Sequence, residues 1–418
     1  MPTLAAPSAV VLSLRVFMPF AAGYFLSYLY RTVNAVISPD LSRSIALDAG
    51  QLGLLTSAYF IGFASTQLPL GVLLDRFGPR RVESALLVVA ATGAAIFAAS
   101  DQAVTLIIGR ALIGFGVSAC LMAAFKANVL WFPRERLPLV NGLMMASGGF
   151  GALTATAPVE AALHITDWRG VFWGLAAVTS AVAALLFVTV PEKPVPGSGE
   201  AFGKQVREIG SVFGSGMFWR LAPFAMMSQA TFMSIQGLWA GPWLRDVAAL
   251  ERGEAANYLF AAAAAMVAGF ALLGSIADRL ARYGVQPLTV GIGGMMIFML
   301  VQAGLVSGWL GNSALFWVAF GFFGTAGALC YAVLTQFFPA QLAGRVNTAL
   351  NLLVFIASFA IQAGIGAIVG YWEPIDGRYP ATAYQTAFGA MLILQVAALL
   401  WMAFPRRPAP VTSTAEVE

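Results

Sequence analysis

The sequence predicts an all-α membrane protein: twelve transmembrane helices in two six-helix bundles related by pseudo-two-fold symmetry. Three observations predict it: scarce charge, long apolar runs, and a repeat across the middle of the chain. Of 418 residues, 59% are hydrophobic and 10% charged, whereas a soluble domain carries about 25% charged residues. A span needs about 20 mostly apolar residues to cross the hydrocarbon layer. Runs of that length lie near 14–37, 52–74, 82–100, 103–130, 139–163 and 170–190, and again near 217–244, 255–276, 287–307, 313–336, 347–371 and 382–404. The 255–276 run, rich in Ala and Gly, is the least apolar in its side chains and is required by the count. Alternating β-barrel patterning is absent, and unpaired backbone cannot face lipid, so the spans are helices.

The net charge of +4 follows from topology rather than from nucleic-acid binding. Most of the 23 Lys and Arg fall on the side that holds both termini and the middle loop. The other side holds Arg43, Arg169, Arg245, Arg252 and Arg378, while Arg31, Arg110 and Lys126 fall inside spans. The positive-inside rule then makes the termini and the middle loop cytoplasmic. The first span lacks a basic start and is too long for a cleavable signal peptide. Arg far outnumbers Lys, and Ala and Gly are abundant, an association with GC-rich bacterial genes; the expected location is a bacterial inner membrane. Cys120 and Cys330 sit in apolar runs and read as packing residues.

Residues 191–216 are the one long polar stretch, opening with Pro and Gly and closing with the amphipathic segment AFGKQVREIGSVF. They read as a cytoplasmic linker that lies partly on the membrane surface. They separate an N-terminal bundle, 1–190, from a C-terminal bundle and tail, 217–418. The halves echo each other. GVLLDRFGPRR at 71–81 corresponds to GSIADRLARYG at 274–284, with Asp75 and Asp278 203 residues apart. WFPRERLPLVNG at 131–142 corresponds to QFFPAQLAGRVNT at 336–348, with Pro133 and Pro339 206 apart. Two matching loops at nearly one offset indicate a parallel repeat of six helices.

GVLLDRFGPRR resembles the loop between helices two and three of the major facilitator superfamily, with Gly71, Asp75, Arg76, Gly78, Arg80 and Arg81 in place. The second copy keeps Gly274, Asp278 and Arg279. IIGRALIGFG at 107–116 is similar to the family's fourth-helix motif, with Arg110 as its arginine. The resemblance covers essentially the whole chain. It implies a transporter whose halves rock about a midplane site, and a gating role for Gly71, Asp75, Arg76, Gly78, Arg80, Asp278 and Arg279. In that role Asp75, at the cytoplasmic end of its helix, pairs with a basic group across the interface between the halves and favours closure on that side.

Charged residues at membrane depth are costly, so each is a candidate for function. Arg31 shares one helical face with Tyr24 and Tyr28, and Asn34 flanks that face. Its guanidinium stays charged and its fork fits a carboxylate or phosphate. Residues 24–41 are similar to the first helix of the anion:cation symporter branch, whose tyrosine-rich helix carries an arginine that contacts the organic anion. The branch also places acids beside such arginines, but Tyr30 and Val117 stand at those positions here. Arg31 and Arg110 are thus left without their expected partners, which suits an anionic cargo and puts the branch's proton route in doubt. Lys126 either reaches the same substrate or snorkels to the cytoplasmic interface. Glu160, read as the one acid well inside a span, is either a proton carrier or a fixed partner for Arg110 or Arg31. In the second half Gln229, Gln236, Trp239, Tyr331, Asn347 and Asn351 are candidates for binding the rest of the substrate, or else join helices to each other. Gly241 and Pro242 are expected to break the seventh span. Trp168 and Trp309 read as interfacial anchors.

The expected function is secondary transport of a small organic anion, most simply a carboxylate, with proton symport as its plausible coupling. A drug or metabolite exporter of the same superfamily is the rival, although GGFGALTATAPVEAAL in the fifth span fits the exporter motif poorly. No HExxH, GxSxG or paired intramembrane acids support an enzyme, and no P-loop supports direct use of ATP. No cofactor or nucleic-acid partner is expected; the anionic substrate, protons and membrane lipids are, for a monomer.

Overall fold

The computed structural model describes residues 12–193, 202–308, 314–339 and 342–404, which are helical almost throughout. A π-turn at Ser13–Phe17 leads into α1 (Met18–Thr32), followed by α2 (Asn34–Ile45), α3 (Ala49–Ser65) and α4 (Gln67–Ala99). Next come α5 (Ala103–Val117), α6 (Cys120–Trp131), α7 (Leu137–Thr154), α8 (Ala157–Leu163) and α9 (Trp168–Thr189). The linker contributes α10 (Phe202–Phe213). The second half holds α11 (Gly216–Ser234), a π-turn at Ile235–Trp239, α12 (Ala240–Asp246), α13 (Arg252–Ala281) and α14 (Pro287–Ser307). It ends with α15 (Ala314–Gly324), α16 (Leu329–Thr335), α17 (Ala343–Val369) and α18 (Ala381–Ala403).

Among the described residues, eight helices are long and apolar enough to cross a membrane; α5 with α6, and α15 with α16, each count as one. The expected spans at 14–37, 52–74, 139–163 and 217–244 fall on helices interrupted along their length. Val33 separates α1 from α2, Thr66 separates α3 from α4, and Ala155–Thr156 separate α7 from α8. Large apolar side chains such as Val188, Leu300 and Ile393 point outward and are mostly exposed, as lipid-facing surface must be.

Local chemistry explains the boundaries. Asp48 caps α3, accepting from the Gln51 amide at 2.7 Å while the Gln51 side chain accepts from the Asp48 amide at 3.2 Å. Asp167 caps α9 through the Gly170 amide at 2.8 Å. The motif loop does not end a helix. α4 runs through it, turning at Gly78, whose φ of 77° suits only glycine, and Pro79 opens the continuing piece. The second copy has no glycine at the matching place and turns later, at Gly284 with φ 84°.

Pro242 was expected, with Gly241, to break the seventh span; the irregularity falls one turn earlier. Pro242 has no N–H for the Leu238 carbonyl, and the chain widens there into the Ile235–Trp239 π-turn. Trp168 is no interfacial anchor: it is 3% exposed, donates to Ser44 Oγ at 3.0 Å and packs edge-on against Phe97. Trp309 lies outside the described residues. The amphipathic segment is helical, and Arg345 Nε of α17 holds it by donating to Glu208 Oε2 at 2.9 Å.

Close backbone approach joins neighbours, as small residues allow in membrane helices. A Cβ at Gly114 would lie 1.9 Å from the Tyr59 carbonyl oxygen. Gly114 therefore serves packing of α5 on α3, and the break between α5 and α6 falls four residues later, at Ser118–Ala119.

Candidate functional site

A cavity of about 300 Å³ lies between the halves. Its wall comes from α1, α3, α4, α5, α6 and α7 of the first half and from α11, α13, α16 and α17 of the second. Its lining includes Asn347 and Asn351 near the start of α17, the end of the molecule at which Arg345 holds α10. At the far end a second cavity, of about 540 Å³, lies between the halves, and side-chain contacts join them around it. Arg252, opening α13, grips Asp40 of α2 with both terminal nitrogens, at 3.0 and 2.5 Å, and donates through Nε to Glu160 of α8 at 2.7 Å. The Ala49 amide donates to the Tyr379 hydroxyl at 3.1 Å, and Gln362 of α17 donates to Thr56 of α3 at 2.9 Å.

Arg31 lies at the deep end of the cavity. Its guanidinium sits 4.5 Å from the Tyr28 ring centroid, 5.3 Å from Phe355 and 5.6 Å from Phe63. Phe63 and Phe355, from opposite halves, stack at 3.9 Å and 9° beneath it. Among the described residues Arg31 forms no ion pair, and its Nε is buried without a hydrogen-bond partner. The charge is held by ring quadrupoles, which stabilise a cation by about 1–2 kcal/mol each when desolvated.

Six other expected residues line the same cavity: Tyr24, Tyr28, Gln229, Tyr331, Asn347 and Asn351. Tyr331 donates to Asn351 Oδ1 at 3.2 Å, and Asn351 donates to Gln67 Oε1 at 2.7 Å across the halves. Gln229 Oε1 and Asn347 Oδ1 are buried acceptors without donors. The wall thus offers one unpaired cation and two unpaired acceptors. Buried polar atoms are normally satisfied, so this set suits a ligand with negative charge and hydrogen-bond donors. The sequence reading missed Gln67, Phe63 and Phe355. Gln67 was detectable as a lone amide in the apolar run one turn before Gly71; the phenylalanines carried no signal above ordinary core.

The other five expected binding residues lie elsewhere. Arg110 is 1% exposed and donates twice to the Tyr30 carbonyl, at 3.0 and 3.1 Å. Asn34, with its amide oxygen turned inward, accepts from Arg110 Nη2 at 2.8 Å. The break at Val33 frees that carbonyl, so Arg110 and Asn34 brace the joint between α1 and α2 rather than meet the cavity. Lys126 is drawn away from it by Asp75, with which it forms an ion pair. Gln236 points its amide nitrogen at Met266 Sδ, 3.2 Å away, in a separate small pocket. Trp239 donates to the Gln362 carbonyl at 3.0 Å and packs against Gly53 and Gly366 in the far-end seal.

The residues expected to gate divide as well. Asp75 was expected to pair across the halves; its partner Lys126 belongs to the same half, because the cavity parts the halves at this end. Asp278 and Arg279 are exposed and form no ion pair among the described residues, and Arg76 and Arg80 lie over Phe77 and Phe187. Gly71 is half-buried on α4. Glu160, expected to carry protons or to pair with Arg110 or Arg31, is committed to Arg252, with His164 Nε2 at 4.0 Å. It is not the one acid inside a span: Glu83 of α4 is 0% exposed.

A family model, the Major Facilitator Superfamily, matches residues 20–362. The chain belongs to this superfamily. It is a multi-pass membrane transporter and not an enzyme. SauU of Cupriavidus necator, described as a probable sulfoacetate transporter, is 24% identical over 303 residues, 66% of this chain and 69% of SauU. YybO of Bacillus subtilis, an uncharacterized transporter, is 34% identical over 148 residues, 35% of this chain and only 34% of YybO. A bacterial homolog of the human lysosomal transporter Spinster, solved inward-facing and unoccupied, matches with a TM-score of 0.76 at 18% identity, over 95% of this chain and 97% of that one. That likeness is one of fold.

Two outcomes follow from the geometry. Arg110→Ala should lower stability by about 3 kcal/mol, since it strands a buried carbonyl and amide and removes charge-assisted bonds. Thermal unfolding in detergent reads this. Arg252→Ala should release Asp40 and Glu160 and shift the population away from the far-end-closed state about tenfold, because each partly exposed pair contributes about 1 kcal/mol. Labelling of a cysteine placed at Leu52 should rise accordingly.

Proposed function

We propose that this transporter moves a small organic anion, carrying a carboxylate or a like group, by alternating access about the cavity that holds Arg31. The observation that carries the reading is the guanidinium itself: mid-depth, caged by aromatics, and free of any protein carboxylate. A charge so placed is costly unless it has work to do. SauU, named for an anion with a carboxylate and a sulfonate, points the same way. Gln229, Asn347, Asn351 and Tyr331 then select the remainder of the substrate, and the asparagine–glutamine contact to Gln67 reports closure of the halves.

The reading includes twelve spans in two repeated bundles, with the linker and both termini cytoplasmic, as the basic residues indicate. The structure is then inward-facing, with the ion pairs at Arg252 as the periplasmic latch. A thermal-shift screen of purified protein tests the substrate class. Sulfoacetate and other small carboxylates should raise the melting temperature, while neutral sugars and cationic amphiphiles leave it unchanged. Stabilisation by the neutral or cationic compounds alone would remove the anion assignment.

A further inference from the structure

Glu83 is an acid the transport cavity does not use. It lies about one turn inside the second piece of α4, after Pro79, and is 0% exposed. Neither carboxyl oxygen has a hydrogen-bond partner. Gly23 of α1 faces it so closely that a Cβ there would sit 2.2 Å from Oε1. Its polar neighbour is the Cys120 thiol at the start of α6, a weak donor.

Among the described residues no cation is placed to neutralise it. On α1, Arg31 is about two turns beyond Gly23 and caged in the cavity, and Tyr24 turns toward Met145. On α5, Arg110 is held by Tyr30; on α6, Lys126 is held by Asp75. On α9, Arg169 pairs with Asp101. On its own helix Arg80 lies over Phe187 and Arg81 pairs with Glu192. Arg15, on the turn before α1, is exposed. An ionised carboxylate with only a thiol beside it and no counter-ion is not tolerated in such a place; a neutral carboxylic acid is.

We propose that Glu83 is the transporter's proton-binding site, the coupling group for the cargo of the Arg31 cavity, an assignment that rests on the anion-transport reading for its role. The position gives the link. Gly23 adjoins Tyr24, and Cys120 adjoins Leu121, and both neighbours line the cavity. Glu83 therefore stands one layer behind the two helices that hold the substrate wall. With its proton it packs dry between them. Without it, the carboxylate demands water or a donor, which it gains only if α1 and α6 move apart. Proton release and rearrangement of the cavity wall thus become one event, and a proton enters with each anion.

The first test needs no substrate. Infrared spectra of the protein in phosphatidylethanolamine–phosphatidylglycerol vesicles, stepped from acid to alkaline, should show a pH-sensitive carboxylic C=O band. Glu83→Gln should delete it and Glu160→Gln should leave it. A wild type without the band, or a band that survives Glu83→Gln, overturns the proposal. If Glu83→Gln does not fold, Glu83→Asp should shift the band, because the shorter acid withdraws from Gly23; an unshifted band is equally fatal. In proteoliposomes, sulfoacetate entry should carry protons in the wild type. Glu83→Gln should keep sulfoacetate exchange within about twofold while proton movement falls at least tenfold. Sulfoacetate uptake without protons in the wild type sinks the coupling and spares the anion reading. Absence of sulfoacetate uptake counts against that cargo, and the infrared result still decides Glu83.

Discussion

Arg31→Ala is expected to weaken anion binding about a hundredfold, by titration of the purified protein with sulfoacetate. The size follows from the site. A desolvated, charge-assisted contact to an anion is worth about 2–4 kcal/mol, and 1.4 kcal/mol is tenfold in affinity. Fold stability should fall by no more than the aromatic contacts contribute, because among the described residues the wild-type guanidinium has no ion pair to lose and its Nε has no partner. Arg31→Lys separates charge from geometry. It keeps the cation but not the planar fork that sits among Tyr28, Phe63 and Phe355, so binding should be intermediate. If Arg31→Ala binds sulfoacetate within threefold of a wild type that does bind it, the cavity holds its guest by other means.

Gly241→Val is expected to abolish the far-end-closed state. Gly241 of α12 meets α2 so closely that a Cβ would lie 1.9 Å from the Ala35 carbonyl oxygen. That partner is backbone in the opposite half, so no side chain can turn aside to make room. A valine there acts as a wedge between the halves, and overpacking of this kind costs about 1–3 kcal/mol even where some relaxation is available. The population should move toward the state closed at the linker end. A cysteine at Met145, on the cavity wall, should then react with a water-soluble maleimide at least tenfold more slowly from the linker side, and transport should be lost. Unchanged labelling together with normal transport would show that the two halves do not need this contact to seal.

Legibility differed by residue. Arg31, Tyr24 and Tyr28 were readable as cavity residues because charge at depth is rare and helical spacing puts the three on one face. Arg110 had the same rarity and a different fate: the break at Val33 offers it a backbone carbonyl, and no helical wheel shows a break to come. Lys126 and Glu160 were readable as charged and ambiguous as to partner. The structure gives each an opposite charge, Asp75 and Arg252, from helices remote in sequence. Glu83 was passed over because it stands near the polar motif loop, where an acid looks like surface. Only the burial of the first turn after Pro79, against Gly23 and Cys120, makes it an interior group.

By itself the sequence determined that this chain lives in a membrane, that it is helical and that its halves echo each other. Those are consequences of composition, run length and the missing hydrogen-bond partners in lipid, and they need no knowledge of which helix touches which. The tertiary structure alone decided which polar residues share a cavity, which arginine is free and which is braced, and which end is latched. Those depend on breaks, kinks and cross-half contacts, where an Asp at 40, a Glu at 160 and an Arg at 252 meet although the chain between them is long.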